Sequence, residues 1–346
     1  MEVTNRPYIS VIITAYNRKE FLLDAFNSAL NQTLDRSKYE VIVSKNFVDE
    51  KIDNYIKKNG GKLVFFEKKE MGERIVHSLK YIKGNIICFL DDDDLFTKEK
   101  LEYVYNIFQN DKNIVYINNA RRYVDENKRY LSKSPSKFER RERDIIIREA
   151  DKRLITLLKI QQYNNSFFNP SSIAIKTSVL KHFIDDLKNI KFASDLFYYF
   201  VSLMSGDLLI SSKELTLYRV HESTSNSIKD YTSFKAVNCK FFNDEKYIAN
   251  MVLKGNSIKI NKGLKKYAYI RLKDAEITYL FYAGNYRKRV LLDYLEIFPY
   301  IIRAFPKIAI LRGLQVAFYI IAPEKFRRFN YEKTKKYIQS IMPKNK

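Results

Sequence analysis

The 346-residue chain has only two cysteines, Cys88 and Cys239, and they lie far apart. Two distant cysteines exclude a disulfide framework and a thiolate zinc site, so a reducing compartment is the default. Cys88 stands inside an apolar run and reads as a small buried residue. No apolar signal core occupies Met1 to Pro7, and the chain is expected to be cytoplasmic. Glycine is sparse. There is no Gly/Ser linker, and Ala15-Tyr16-Asn17-Arg18, after the first strand pattern, is no Gly-rich phosphate loop. That removes the usual mark of a nucleotidyltransferase. Of the three histidines, neither His77 nor His182 lies in a ligand pattern. Long apolar runs are missing as well. Gly313 to Pro323 carries no charge for 11 residues, against the roughly 20 needed to cross a bilayer.

What the chain does have is positive charge: 62 Lys and Arg against 40 Asp and Glu. From Tyr231 onward the balance is 24 basic to 8 acidic residues, so the excess is mostly a property of the last third. A polyanionic partner for that part follows, either nucleic acid or an anionic membrane face, unless the lysines only serve solubility.

Against this background stands one acidic cluster, Asp91-Asp92-Asp93-Asp94, entered directly from the strand pattern Ile86-Ile87-Cys88-Phe89-Leu90. Carboxylates so close raise one another's pKa unless a cation sits among them. The carboxyl end of a strand is where open α/β sheets place ligands, and hard oxygen donors there suit Mg²⁺ or Mn²⁺. The plain alternative is a solvated turn capping a helix that begins near Thr97.

Along the chain, β-branched and apolar runs at Tyr8 to Thr14, Glu40 to Val43 and Lys62 to Phe66 read as strands. They alternate with helical spacing at Glu20 to Leu30, Asp53 to Lys58 and Lys98 to Phe108. That alternation predicts an α/β domain with a parallel sheet and right-handed crossovers. Arg121 to Arg153 is a dense mixture of charges and reads as a solvated excursion. Strands are expected at Ser172 to Ile175, Leu208 to Ile210 and Leu215 to Tyr218, with helices from Ser178 and Leu196. Two domains result, 1–230 and a basic helical region, 231–346. In the latter, Pro299, Pro306 and Pro323 divide short apolar helices edged by Arg303, Lys307 and Arg312. Residues 291–330 match an interfacial membrane anchor better than a nucleic-acid arm, the other reading being a helical subdomain whose apolar faces meet each other.

Four segments in order carry a resemblance: Ser10 to Arg18, Phe89 to Asp94, Ala193-Ser194-Asp195 and Tyr218-Arg219-Val220-His221. Together they resemble the signatures of family 2 glycosyltransferases, over about residues 7–227. The resemblance implies a GT-A (Rossmann-like) nucleotide-diphospho-sugar transferase fold. It also implies a nucleotide-sugar donor, Mn²⁺ or Mg²⁺, and inversion at the anomeric carbon. It assigns Thr14, Tyr16 and Arg18 to the nucleotide pocket, Asp91 to the donor ribose or the metal's water shell, and Asp93 to the metal. Asp92 takes the variable middle position on the donor side, and Asp94 holds the turn. Asp195 corresponds to the catalytic base; by pattern alone it is equally a helix N-cap. Arg219 would clamp phosphate oxygens, and His221 would complete the metal shell or touch the diphosphate. Where relatives have paired acids after the second strand, this chain has Ser44-Lys45-Asn46. Lys45 there cannot accept a hydrogen bond from a donor base, whereas the Asn46 side-chain oxygen could.

The expected protein is therefore a peripheral, cytoplasmic-face transferase that moves a sugar to a glycan or lipid-linked acceptor. The alternatives are a catalytically silent GT-A scaffold, or a nucleic-acid-binding protein acting through the basic region. The second leaves the acidic cluster unexplained.

Overall fold

A computed structural model describes residues 7–131, 141–164, 167–221, 230–255, 260–284 and 286–341. The first six residues and positions 132–140 of the charged stretch lie outside them. Contacts divide the chain into two units, 1–150 with 161–219, and 151–160 with 220–346.

The first unit is built on one sheet. Its strands are β1 Ile9–Ala15, β2 Tyr39–Lys45, β3 Lys62–Phe65, β4 Ile86–Asp91, β5 Leu95–Phe96, β6 Ile114–Val124, β7 Ile145–Ile147, β8 Ile173–Lys176 and β9 Asp207–Arg219. They lie in the order β3-β2-β1-β4-β8-β6-β9-β5, with β7 also on β9. Helices α1 Leu22–Leu30, α2 Glu50–Lys58, α3 Met71–Ser78, α4 Lys100–Asn110, α6 Thr177–His182, α7 Ile184–Leu187 and α8 Ser194–Ser205 surround it; α5, Leu154–Asn164, spans the division. Ile9, Val11, Ile13, Cys88 and Leu90 pack on one face with Phe26 of α1 and Leu101, Val104 and Phe108 of α4. On the other face Phe89 stacks on Tyr198 of α8, ring centroids 4.4 Å apart. Burial on both faces explains why these strands read as continuous apolar runs rather than alternating ones.

Three expectations need correction. The sheet is mixed: β1 to β4 are parallel, but β8 runs antiparallel to both β4 and β6. Just before β8 the Ser171 hydroxyl accepts from the Asp91 amide at 3.0 Å, so β8 starts where β4 ends and has to run back along it. Next, Arg121 and Arg122 do not open a solvated excursion; they are part of β6. Strand alternation turns Arg121 inward, where it lies over the Phe168 ring, and Arg122 outward to Glu214. Finally, the two expected strands between Leu208 and Tyr218 are one, β9. Its polar middle is anchored by Asp144, which accepts from the Ser212 amide at 2.6 Å.

The acidic cluster does not cap a helix, since β5 intervenes and α4 starts at Lys100 without a side-chain cap. Helix α3, which apolar spacing did not mark, has its first amides taken by loop carbonyls: Gly72 N donates to Ile190 O at 2.9 Å.

The second unit is helical: α9 Tyr231–Lys254, α10 Lys262–Ala283, α11 Arg287–Ala304, α12 Pro306–Ile321 and α13 Pro323–Ile341. Helix α9 opens with a capping box between Asp230 and Ser233 and closes at Gly255 with φ +54°. Part of the basic excess is spent on internal pairs. Arg271 bonds buried Glu245, and Lys273 and Arg289 both reach buried Asp293, at 3.0 and 2.9 Å. Among the described residues no helix is long and apolar enough to cross a membrane.

A Cβ on Gly72 would sit 1.9 Å from Leu187 O and 2.7 Å from Ile190 O. Overpacking against fixed backbone costs about 1–3 kcal/mol. Gly72→Ala should therefore lower Tm by several degrees in thermal unfolding followed by circular dichroism; an unchanged Tm would mean that the 187–190 loop yields freely.

Candidate active site

The site forms where β1, β2 and β4 end. Beyond β1, Asn17 takes φ +54°, a left-handed turn that Asn tolerates. Its amide donates to Asn46 Oδ1 at 2.8 Å, and Asn46 Nδ2 returns a bond to Asn17 Oδ1 at 2.6 Å. That reciprocal pair ties the ends of β1 and β2 together. Lys45, buried beside it, pairs with Asp53 at 2.7 Å. Tyr16 lies under the Arg74 guanidinium, 4.7 Å from ring centroid to Cζ.

The β1–β4 register sets Thr14 opposite Asp91, with Thr14 Oγ1 3.4 Å from Asp91 Oδ1. Asp91, Asp93 and Asp94 each bring a carboxylate oxygen within 4.8 Å of the others. Arg18 reaches into the cluster, donating from Nε to Asp92 Oδ2 at 2.9 Å and lying 2.6 Å from Asp93 Oδ2. Burial opposes charge on Arg18, but its bond to Asp92 and the charges of Asp93, Asp92 and Asp91 outweigh burial and raise its pKa. Desolvation, then the neighbouring carboxylates, raise Asp91 well above the ordinary range. Asp92 and Asp94 are also raised, chiefly by burial. Three converging oxygens whose repulsion one guanidinium only partly relieves fit a small divalent cation.

Beneath the turn runs Arg219, its side chain fully buried. Its amide donates to Asp94 Oδ1 at 3.0 Å, its Nε to Asp93 O at 2.8 Å, one terminal nitrogen to Glu126 O, and the other to Asp24 Oδ2 at 2.9 Å. The guanidinium also lies 4.3 Å from the Phe21 ring centroid. Every guanidinium nitrogen thus serves the protein that holds the acidic turn.

Asp195 sits in the first turn of α8, two residues beyond the N-cap position at Ala193. It accepts from the Leu196 amide at 2.8 Å and the Asn169 amide at 3.2 Å. Burial pushes its pKa up to about 6, against the lowering effect of those amides. Asn169 connects the two halves of the site, because its side-chain amide donates to Asp94 Oδ2 at 2.8 Å. It is buried, with φ +70°.

Thr14, Tyr16, Arg18, Asn46, the four aspartates, Asp195 and Arg219 are all in the first unit. His221, two residues beyond β9, belongs to the second, where it is buried. Sequence reasoning missed Asn169, Ser171, Asp24 and Lys100. Asn169-Pro170 carried a turn signal, whereas Asp24 looked like an ordinary polar position on an amphipathic helix. Lys100, fully buried behind the turn, bonds Asn119, and burial pushes its pKa down to about 8.

The family model for "Glycosyl transferase family 2" matches residues 10–183, half of the chain. The chain belongs to that family. A Rickettsia bellii protein described as an uncharacterized glycosyltransferase is 35% identical over 127 residues, 36% of this chain but only 18% of that protein. The poly(ribitol-phosphate) beta-N-acetylglucosaminyltransferase TarP of Staphylococcus aureus is 36% identical over 104 residues, 28% of this chain and 32% of TarP. Among solved structures, S. aureus TarS 1–349 in complex with UDP-GlcNAc superposes with TM-score 0.58 at 14% identity, covering 98% of this chain and 93% of that one. The mannosyltransferase PcManGT from Pyrobaculum calidifontis, in complex with GDP-Man and Mn²⁺, gives 0.54 at 14% identity, covering 97% and 86%. At such identities the likeness is one of fold.

Asn169→Ala removes one of the buried donors to Asp94 and should cost about 1–3 kcal/mol in denaturant unfolding. Asn169→Gly, which suits the left-handed backbone, should lose the same hydrogen bond without the backbone strain. Equal and negligible losses in both would show that the Asn169–Asp94 bond contributes nothing to the turn.

Proposed function

We propose that the chain is a metal-dependent, inverting glycosyltransferase that moves a sugar from a nucleoside-diphosphate donor to the hydroxyl of a glycan or lipid-linked acceptor. The carrying observation is Asn169, whose backbone amide meets Asp195 and whose side chain meets the acidic cluster. One buried residue therefore holds a raised-pKa carboxylate at a fixed position beside a group of oxygens suited to a cation.

In this reading Thr14, Tyr16 and Arg18 line the nucleotide pocket, and the second lone pair of Asn46 Oδ1 is offered to the donor base. Asp91 and Asp92 face the donor side. A divalent ion, Mn²⁺ or Mg²⁺, would be held by Asp93 beside Asp91 and Asp94, and when bound would neutralise charge on the leaving diphosphate. Arg219 acts by fixing the turn. Asp195 takes the proton of the acceptor hydroxyl as its oxygen attacks the anomeric carbon from the face opposite the diphosphate. No general acid is required, because the diphosphate leaves unprotonated. TarS and PcManGT, with UDP-GlcNAc and GDP-Man respectively, support a nucleotide-sugar donor, and the Mn²⁺ of PcManGT supports the metal.

The test is nucleoside-diphosphate release and transfer from UDP-, GDP- and dTDP-sugars with Mn²⁺ or Mg²⁺. One donor should turn over, only with metal. Asp195→Asn should lower kcat by about 100- to 10,000-fold, and Asp93→Asn should raise the metal concentration needed for half-maximal rate. Full turnover in chelator would remove the metal from the reading; undiminished transfer by Asp195→Asn would remove the base.

The acid limb gives a second check. A base works deprotonated, so with a pKa of about 6 kcat/KM should be flat above that pH. Below it the value should drop roughly tenfold per unit. A limb near pH 4 would mean that the base titrates as an ordinary carboxylate and that burial does not raise Asp195 in the working enzyme.

A further inference from the structure

Helices α11 and α12 of the second unit are apolar on two sides. On α12 the inner side is Ala309, Val316 and Tyr319, all buried. Arg312 also turns inward, reaching Asp274 at 2.8 Å. The opposite side reads Lys307, Ile310, Leu311, Leu314, Ala317 and Ile321, at helical spacing. Its large members are well exposed: Ile310 56%, Leu311 59%, Leu314 61% and Ile321 78%. Helix α11 repeats the arrangement. Val290, Asp293, Tyr294 and Ile297 face inward, while Leu291, Leu292, Leu295 and Pro299 face out. A helix that only had to pack within its own unit would carry polar residues on that outer face. The two helices are also in contact, with Tyr294 Oη donating to Ala309 O at 2.8 Å.

The ends of these faces are basic. Arg287 and Lys288 stand at the start of α11, Arg303 and Lys307 flank the junction, and Lys325 and Arg328 follow α12, all of them exposed. Neither helix can cross a bilayer. Two occupants would bury the apolar faces: a second copy of this chain, or a lipid surface. A second copy brings the same basic ends, so like charges would meet around the contact, whereas an anionic surface is complementary to them.

We infer that the outer faces of α11 and α12 form an interfacial binding surface for an anionic lipid bilayer. The leucines and isoleucines enter the boundary between headgroups and acyl chains, and the arginines and lysines at the helix ends pair with lipid phosphates. Both helices lie in the plane of the membrane.

The experiment is flotation of the full chain with vesicles of phosphatidylglycerol and phosphatidylcholine, beside vesicles of phosphatidylcholine alone, at low and high salt. The chain should float with the anionic vesicles, and less so as salt is raised. Leu292→Glu with Leu314→Glu, placed on the exposed faces, should weaken binding at least about tenfold, since two apolar side chains no longer enter the interface. Arg303→Gln with Lys307→Gln should weaken it chiefly at low salt. Circular dichroism and donor hydrolysis of both variants should match the native chain, which separates a lost surface from a lost fold or a lost active site. Equal binding by native chain and Glu variant would overturn the surface. So would a chain that ignores vesicles and instead forms an oligomer that the Glu variant dissociates, which would assign the faces to a second copy. A monomer that ignores both kinds of vesicle would overturn the inference as well.

Discussion

The acidic turn depends on a charge that never meets water. The Arg219 guanidinium is fully buried, and its transfer from solvent is offset only because each nitrogen has an oxygen to meet: Asp93 O, Glu126 O and the Asp24 carboxylate. A planar fork with fixed directions can do this where a lysine could not. The Arg219 amide adds a bond to Asp94, so the end of β9 and the turn after β4 hold each other. The carboxylates above can then stand closer than they would in water.

That proximity shapes the electrostatics of the site. Burial and mutual repulsion raise Asp91, Asp92 and Asp94, and Arg18 is the guanidinium that answers them from the solvent side. A buried amino group stands behind the turn as well. Lys100 contacts Asn119 and the Ser171 carbonyl, while the Ser171 hydroxyl accepts from the Asp91 amide. The reversal of β8 places Ser171 there, so the antiparallel strand in the sheet is part of how the site is built.

The second unit deals with charge differently. Its buried acids Glu245 and Asp293 each meet arginine or lysine from a neighbouring or the same helix. Such pairs consume inward-pointing cations and leave those at the helix ends facing solvent beside the apolar outer faces of α11 and α12. Net charge alone could not distinguish these two populations.

The strand that runs into Asp91–Asp94, the β-branched run before Thr14, and the helices after residue 230 were legible because apolar periodicity and short-range chemistry are local. So were the family and the GT-A-type sheet, whose signatures sit at strand and helix ends. What the sequence could not show was decided by contacts between distant residues. The antiparallel course of β8 follows from where Ser171 is anchored. The inward turn of Arg121, inside a run of charges, follows from its place in a strand that propensity did not mark. The roles of Asp24 and Asn169 arise only when Arg219 and Asp195 are brought to them, since a polar residue on a helix or in a turn looks the same in sequence whatever it meets in space.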